Sequence, residues 1–342
     1  MSKVDLNIGG KLFEFWSSVE LTRSIGSVDT FSFDAPFDEN NLEFRKIFRP
    51  LSFQPVKIYI DGSIQLTGTA IGINPVGGPE SSRVSVNGYS LPGVLGDCPM
   101  PSDEYPIEYF DLNLRQIAEK VCAPFGVGFH IVDDIGQPFE QVGLESSEKV
   151  MDFLASLAKE RGIVLSSDAS GNLLMQKTAT GSTPVASITD GEAGVSNISM
   201  SSDAQKIFSS VTSLGATVVG LPADKYTAEN SRVSANRPMV VKTDGANQGD
   251  VKTDAESRLG RMYGDALGWT VELSSWKDPS GNLWRPNTKI SILAPKAMIY
   301  EKYNFLIKTV SFRQTDREET ATLSVVLPES FSSAIPKRLP WE

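Results

Sequence analysis

Histidine is almost missing from this chain of 342 residues. His130 is the only one, and its isolation excludes multi-histidine metal sites and histidine-based triads. Cysteine is nearly as scarce: Cys98 and Cys122 make no metal-ligand spacing and are read as free thiols. No apolar run approaches the ~18 residues of a membrane span. Residues 1–10 alternate apolar and polar side chains and lack the apolar core of a signal peptide. The expectation is a soluble chain, without membrane insertion, that folds where it is made. Basic residues are in deficit as well, with 32 Lys and Arg against 42 Asp and Glu and a net charge of −10. That balance argues against a general grip on nucleic-acid phosphates.

What is abundant is hydrophobic alternation. Val4, Leu6 and Ile8 alternate ahead of Gly9 and Gly10, and Leu12 begins the answering strand of a hairpin. The same period of two recurs around residues 19–23, 30–33, 56–60 and 66–73, with a loop expected over residues 75–79 before Val84 and Val86 resume it. A Pro-rich connection follows at residues 92–106. The period then changes: Leu114, Ile117, Ala118, Val121 and Cys122 form a helical stripe behind Asn113, a good N-cap, and Gly126 precedes a strand. A second helix-Gly-strand unit runs through Val150, Phe153, Leu154, Leu157 and Ala158 to Gly162, with Ser146 or Ser147 as its expected cap. Beyond a Gly/Ser/Thr linker at residues 178–183, short strands return up to Leu327. Among them Ala255, Leu259 and Met262 suggest one short helix, weakened by Gly260 and Gly264.

Length sets about two or three domains as the prior, and the pattern divides the chain into four stretches. They are a β-barrel domain at 1–97, an α+β domain at 98–181, a second β-barrel domain at 182–330 and a tail at 331–342. The fold class is therefore mainly β with α+β: two small β-barrels plus a smaller α+β region.

Candidate chemistry is thin. His130 lies in an alternating strand and reads as a partly buried or edge residue. Asp133-Asp134 and Glu318-Glu319 are adjacent pairs whose side chains diverge on a strand, unlike the facing carboxylates of a glycosidase. Gly9-Gly10 and Gly77-Gly78 lack the helix and Lys of a phosphate loop. Asp244, Asp250 and Asp254 do not have calcium-loop spacing. Trp269, Trp276, Trp284 and the tyrosines near them fit a barrel core, although a sugar platform uses the same residue types. No catalytic, cofactor or metal residue is assigned, and no enzyme activity is expected.

The run Phe153-Leu154-Ala155-Ser156-Leu157-Ala158-Lys159-Glu160-Arg161-Gly162, followed by a strand, Asp168, Gly171 and a second strand, resembles the helix-Gly-hairpin element of phage tail baseplate hub proteins. It is similar to the Mu-type hub of contractile tails and more distantly to the hub part of type VI secretion spikes. Val56-Lys57-Ile58-Tyr59-Ile60-Asp61-Gly62 before Leu66-Thr67-Gly68 resembles the family's Asp-Gly hairpin. Ser280-Gly281-Asn282-Leu283-Trp284-Arg285-Pro286-Asn287 and Phe305-Leu306-Ile307-Lys308-Thr309-Val310 resemble its C-terminal barrel. The resemblance implies a structural homotrimer, a ring joining a sixfold tail tube to a threefold spike. It would contact other baseplate proteins and enclose a channel that passes DNA without specific binding. The implied location is the baseplate of a virion tail, after synthesis in the host cytoplasm. The rival expectation is a tail-associated carbohydrate-binding module or cell-wall glycosidase.

The tail itself carries Phe331, Ile335, Leu339 and Trp341 among Pro336 and Pro340, which bar a regular strand or helix. Aromatic and aliphatic anchors in an irregular tail are expected either at an interface with a neighbouring subunit or baseplate partner, or packed back on the chain's own barrel.

Overall fold

Alternation along Val4–Ile8 buries Val4, Leu6 and Ile8, and the strand pairs antiparallel with both Lys11–Phe13 and Pro55–Ile60. Left-handed Gly9 and Gly10 make the first turn, at φ 60° and 84°. The structure, a computed structural model, describes residues 1–78, 82–133, 136–215, 224–242, 248–331 and 335–342. From Pro55–Ile60 the chain turns into Ser63–Gly77, which then pairs with Ser82–Ser90. The loop expected at residues 75–79 is thus strand through Gly77, while Pro79 lies outside the described residues. Proline is tolerated at Pro75 because the pairing with Pro55–Ile60 ends at Thr69, leaving that side of the strand a free edge.

The two β-rich regions are present, and they are joined. Ser18–Ser24 pairs antiparallel with the far end of Ile299–Thr315 through seven residue pairs, from Ser24 opposite Thr309 to Ser18 opposite Thr315. Through this ladder thirteen strands belong to one hydrogen-bonded sheet, and among the described residues no pairing closes either half into a barrel. The edge of each half is covered by the other half, which removes an exposed row of amides and carbonyls. One continuous core follows the sheet, from Leu6, Phe33 and Ile58 in the first half to Trp269, Phe305 and Phe312 in the second.

Between the halves, the α+β region has a core of its own. Leu114–Cys122 starts with a complete capping box: Gln116 N–H donates to Asn113 Oδ1 at 3.0 Å, and Asn113 N–H donates to Gln116 Oε1 at 2.9 Å. Val150–Glu160 buries Val150, Phe153, Leu154, Leu157 and Ala158, the stripe read from the sequence, and left-handed Gly162 follows it. Its start differs from expectation, since Lys149, and neither serine, is the N-cap. The Val150 amide instead donates to the Cys98 carbonyl at 3.2 Å, beside a bridge between Pro99 and Lys149, so a tertiary contact replaces a local cap. Ile163–Ser167 and Leu173–Lys177 form the expected hairpin, and Phe129–Ile131 adds in parallel at its other edge.

The helix expected to be short spans Gln248–Ala266. It covers a three-stranded sheet of Ser210–Leu214, Lys225–Glu229 and Pro238–Lys242 through Ala255, Leu259 and Met262. Gly264 is a site of close approach: a Cβ there would lie 2.5 Å from the Cβ of Ser330.

Candidate interaction surfaces

The titratable residues singled out in the sequence do not converge. His130 is exposed on the edge strand Phe129–Ile131. Asp133 accepts from the Lys177 amide at 2.6 Å, and Glu319 accepts from the amide of Ser2. Asp254 holds Arg258 at 2.8 Å and accepts from Ser213 Oγ. Asp134 and Asp244 lie outside the described residues, as does the side chain of Asp250. Among the described residues no three His, Cys, Asp or Glu side chains group to hold a metal ion. Cys98 and Cys122 are free, and burial pushes the Cys122 thiol up to about 12.

Trp269, Trp276 and Trp284 are buried, and each indole N–H is satisfied by a carbonyl, of Ala297, Thr320 and Ser275 respectively. None of the three tryptophans offers a ring face as a sugar platform, whereas the nearby Tyr300 is exposed.

A cleft of about 690 Å³ opens where the three regions meet, lined in part by Arg23, Gln65, Gln176 and Lys277. At its wall Asp29 is buried. Its carboxylate accepts from Arg23 Nε and from the Ser24 amide, both at 3.3 Å. Desolvation raises its pKa to about 6, outweighing the nearby Arg23 charge that would lower it. The Asp29 amide donates to Ser167 Oγ at 3.2 Å, its carbonyl accepts from the Ser90 amide at 2.8 Å, and the hydroxyls of Ser90 and Ser167 bond to each other. This buried polar node pins the α+β hairpin to the first β half.

The tail is docked. Leu339 is buried, and the Trp341 ring lies 6.5 Å from that of Trp269. Ile335 packs on the main core and on the core beneath the long helix, while Phe331 packs beside Ile25, Leu306 and Val326. Polar bonds fasten the backbone: Tyr300 N–H donates to Pro340 O at 3.2 Å, Tyr303 Oη–H to Arg338 O at 2.9 Å and Arg232 Nη2–H to Lys337 O at 2.6 Å. Leu339 is thus buried in its own chain, and Phe331, Ile335 and Trp341 are partly buried against it. Among the described residues of the tail, Lys337, Arg338 and Glu342 are the exposed ones.

Sequence reasoning missed the apolar surface of the first half. Phe13, Phe44 and Phe48 pack ring against ring at 5.4 to 5.9 Å, and Phe15 lies 6.0 Å from Phe44 while standing mostly in solvent. The available signal was the density of phenylalanine at positions 13, 15, 44, 48 and 53.

Residues 92–177 match the family described as the second domain of gp44-like baseplate hub proteins. Over 343 aligned residues the chain is 27% identical to baseplate hub protein gp44 of Escherichia phage Mu, covering 95% of this chain and 87% of that protein. In fold it is similar to the 43 kDa tail protein of prophage MuSo2 from Shewanella oneidensis, with a TM-score of 0.82 and 24% identity over 96% of this chain and 99% of the other. It is also similar to the E. coli c3393 protein, a type VI secretion component, with a TM-score of 0.59 and 13% identity over 97% of this chain and 79% of that one. The resemblance read from the helix-Gly-hairpin run falls within the matched segment, and over most of its length the chain is similar to the baseplate hub protein of phage Mu.

Proposed function

We propose that the chain assembles as a homotrimeric ring at the centre of a contractile-tail baseplate, joining a sixfold tail tube to a threefold spike. Other baseplate proteins bind at its rim, and it reaches the virion after synthesis in the host cytoplasm. The observation that carries this reading is the likeness to the phage Mu hub along nearly the full length of both chains. Two β-rich halves in one chain support it, because three copies would then display six similar units around the axis and mate with sixfold and threefold neighbours alike. A net charge of −10 suits a channel past which DNA slides without being held. The docked tail, with Phe331, Ile335, Leu339 and Trp341 behind it, supplies a firm backing for the exposed charges of Lys337, Arg338 and Glu342 at such a contact. Sedimentation of the 37.1 kDa chain over a range of concentrations tests the assembly. Three copies per particle are expected, and a monomer at every concentration would overturn the ring.

A further inference from the structure

A second, smaller cleft of about 250 Å³ lies where the helix Val150–Glu160, the long helix Gln248–Ala266, the strand Ile299–Thr315 and residues 330–331 come together. The charged residues that line it are Lys159, Arg261 and Lys308 against a single carboxylate, Asp265. In a chain whose net charge is −10, this is a local reversal of sign. Each cation arrives by a separate route. Lys159 stands in the last turn of its helix, where the dipole favours positive charge. Arg261 shares a stripe of the long helix with Gly264 and Asp265. Lys308 sits in a bulge: Ile307 faces Val325 and Thr309 faces Ser324, so Lys308 is left out of the ladder, and a bulge re-aims the side chain it carries.

None of the three is neutralised. Among the described residues no carboxylate comes within salt-bridge distance of Lys159, Arg261 or Lys308. Arg261 is half-buried and uses one N–H, from Nη2 to Lys159 O at 3.0 Å. Desolvation depresses its pKa, and the Asp265 charge offsets that only in part. A guanidinium so placed is costly unless an anion completes its fork of donors. The neutral lining agrees. Ser330 is buried, and its hydroxyl has no hydrogen-bond partner among the described residues. It stands over Gly264, where an added Cβ would lie 2.8 Å from Ser330 Oγ, so the missing side chain leaves the hydroxyl room to turn.

We propose that this cleft binds a small oxyanion of the phosphate class, gripped by the Arg261 fork, flanked by Lys159 and Lys308, and completed by the Ser330 hydroxyl turning about Cα–Cβ to donate. The volume lies below the ~300 Å³ at which sites for drug-sized ligands begin, which suits a single tetrahedral anion and excludes a nucleotide or an oligosaccharide. The bound anion ties the α+β region to the second half, as the node at Asp29 ties it to the first. The site lies within one chain and does not rest on the ring.

Inorganic phosphate is the probe. Calorimetric titration of the full-length chain with sodium phosphate, at ionic strength held constant with sodium chloride, should show one saturable site per chain. The melting temperature should rise with phosphate and not with further chloride. Lys159→Gln and Lys308→Gln alter side chains that make no hydrogen bond or ion pair among the described residues, so unchanged circular dichroism is expected. Each should weaken phosphate binding at least about 10-fold. Arg261→Lys keeps the charge, loses the fork and should weaken binding too. A wild type without saturable heat would overturn the site. Binding unchanged in all three variants would do the same, since it would show an adventitious ion only. Phosphate that disperses assemblies of the chain yet gives no saturable heat with the dispersed chain would overturn the free ligand, because an acidic side chain of a neighbouring copy would then fill the cleft.

Discussion

The two β halves treat their aromatic residues in opposite ways. In the second half Trp269 and Trp276 are fully enclosed, their N–H groups bonded, and Leu339 and Trp341 of the tail pack on the same core, Trp341 beside Trp269. In the first half a comparable knot of Phe13, Phe44 and Phe48 grades outward into Phe15, which stands in solvent. One half carries its own cover and the other does not. The same apolar residue types are covered within the chain in one half and left open in the other, although one sheet runs through both.

The comparison breaks most visibly at Trp269. Trp269→Ala removes a fully buried indole and its bond to Ala297 O, and should cost about 3 to 5 kcal/mol in chemical unfolding. Phe15→Ala in the first half should cost under about 0.5 kcal/mol in the unassembled chain. Equal losses would erase the distinction between a covered and an open half.

Next in size is the buried carboxylate at the joint. Burial lifts Asp29 to about 6 from an ordinary 3.8, so the folded chain holds this proton more tightly than the unfolded chain does. Its contribution is fully favourable below about pH 4, declines as pH rises to about 6 and is flat above. The difference is about 3 kcal/mol at most. Asp29→Asn should remove this component from the stability profile, and superimposable profiles for wild type and variant would show that the carboxylate is not held in this way.

The cover of the second half is smaller still. Leu339→Ala should cost about 2 kcal/mol, the low end for a buried leucine, because a chain terminus relaxes around the loss. A negligible change in unfolding free energy would mean that the tail does not seal the core. The least effect is expected at Leu51→Gly, which relieves a left-handed backbone without removing a buried contact. A gain of up to about 1 kcal/mol in the unassembled chain is predicted, and a clear loss would show that the leucine packs on its own chain.

Local patterns were legible in the sequence, and long-range pairings were not. The stripe from Val150 to Ala158 and the alternation of Val4, Leu6 and Ile8 announce their buried faces because side-chain period and burial are the same information. The long helix was foreshortened because Gly264 lowers helix propensity, and only the position of Ser330 explains why a glycine belongs there. The cap at Lys149 was misread because its substitute, the Cys98 carbonyl, arrives from another segment. The joining of the halves was invisible for the same reason: nothing near Ser18 signals a partner at Thr315. As for the candidate surfaces, the tail residues were found by their aromatic content. The strained positions of Leu51 and Phe53 leave no mark in residue type.

The ladder between Ser18–Ser24 and Ile299–Thr315 also imposes a schedule on biosynthesis. At about 5 to 20 residues per second, the ribosome needs roughly 15 to 60 s after making the first strand to deliver its partner. Throughout that interval the first half waits with one edge unpaired, able to fold locally but not to finish. A polysome loaded with many such nascent chains sets these edges side by side, so strand exchange between neighbours on one message competes with completion in cis.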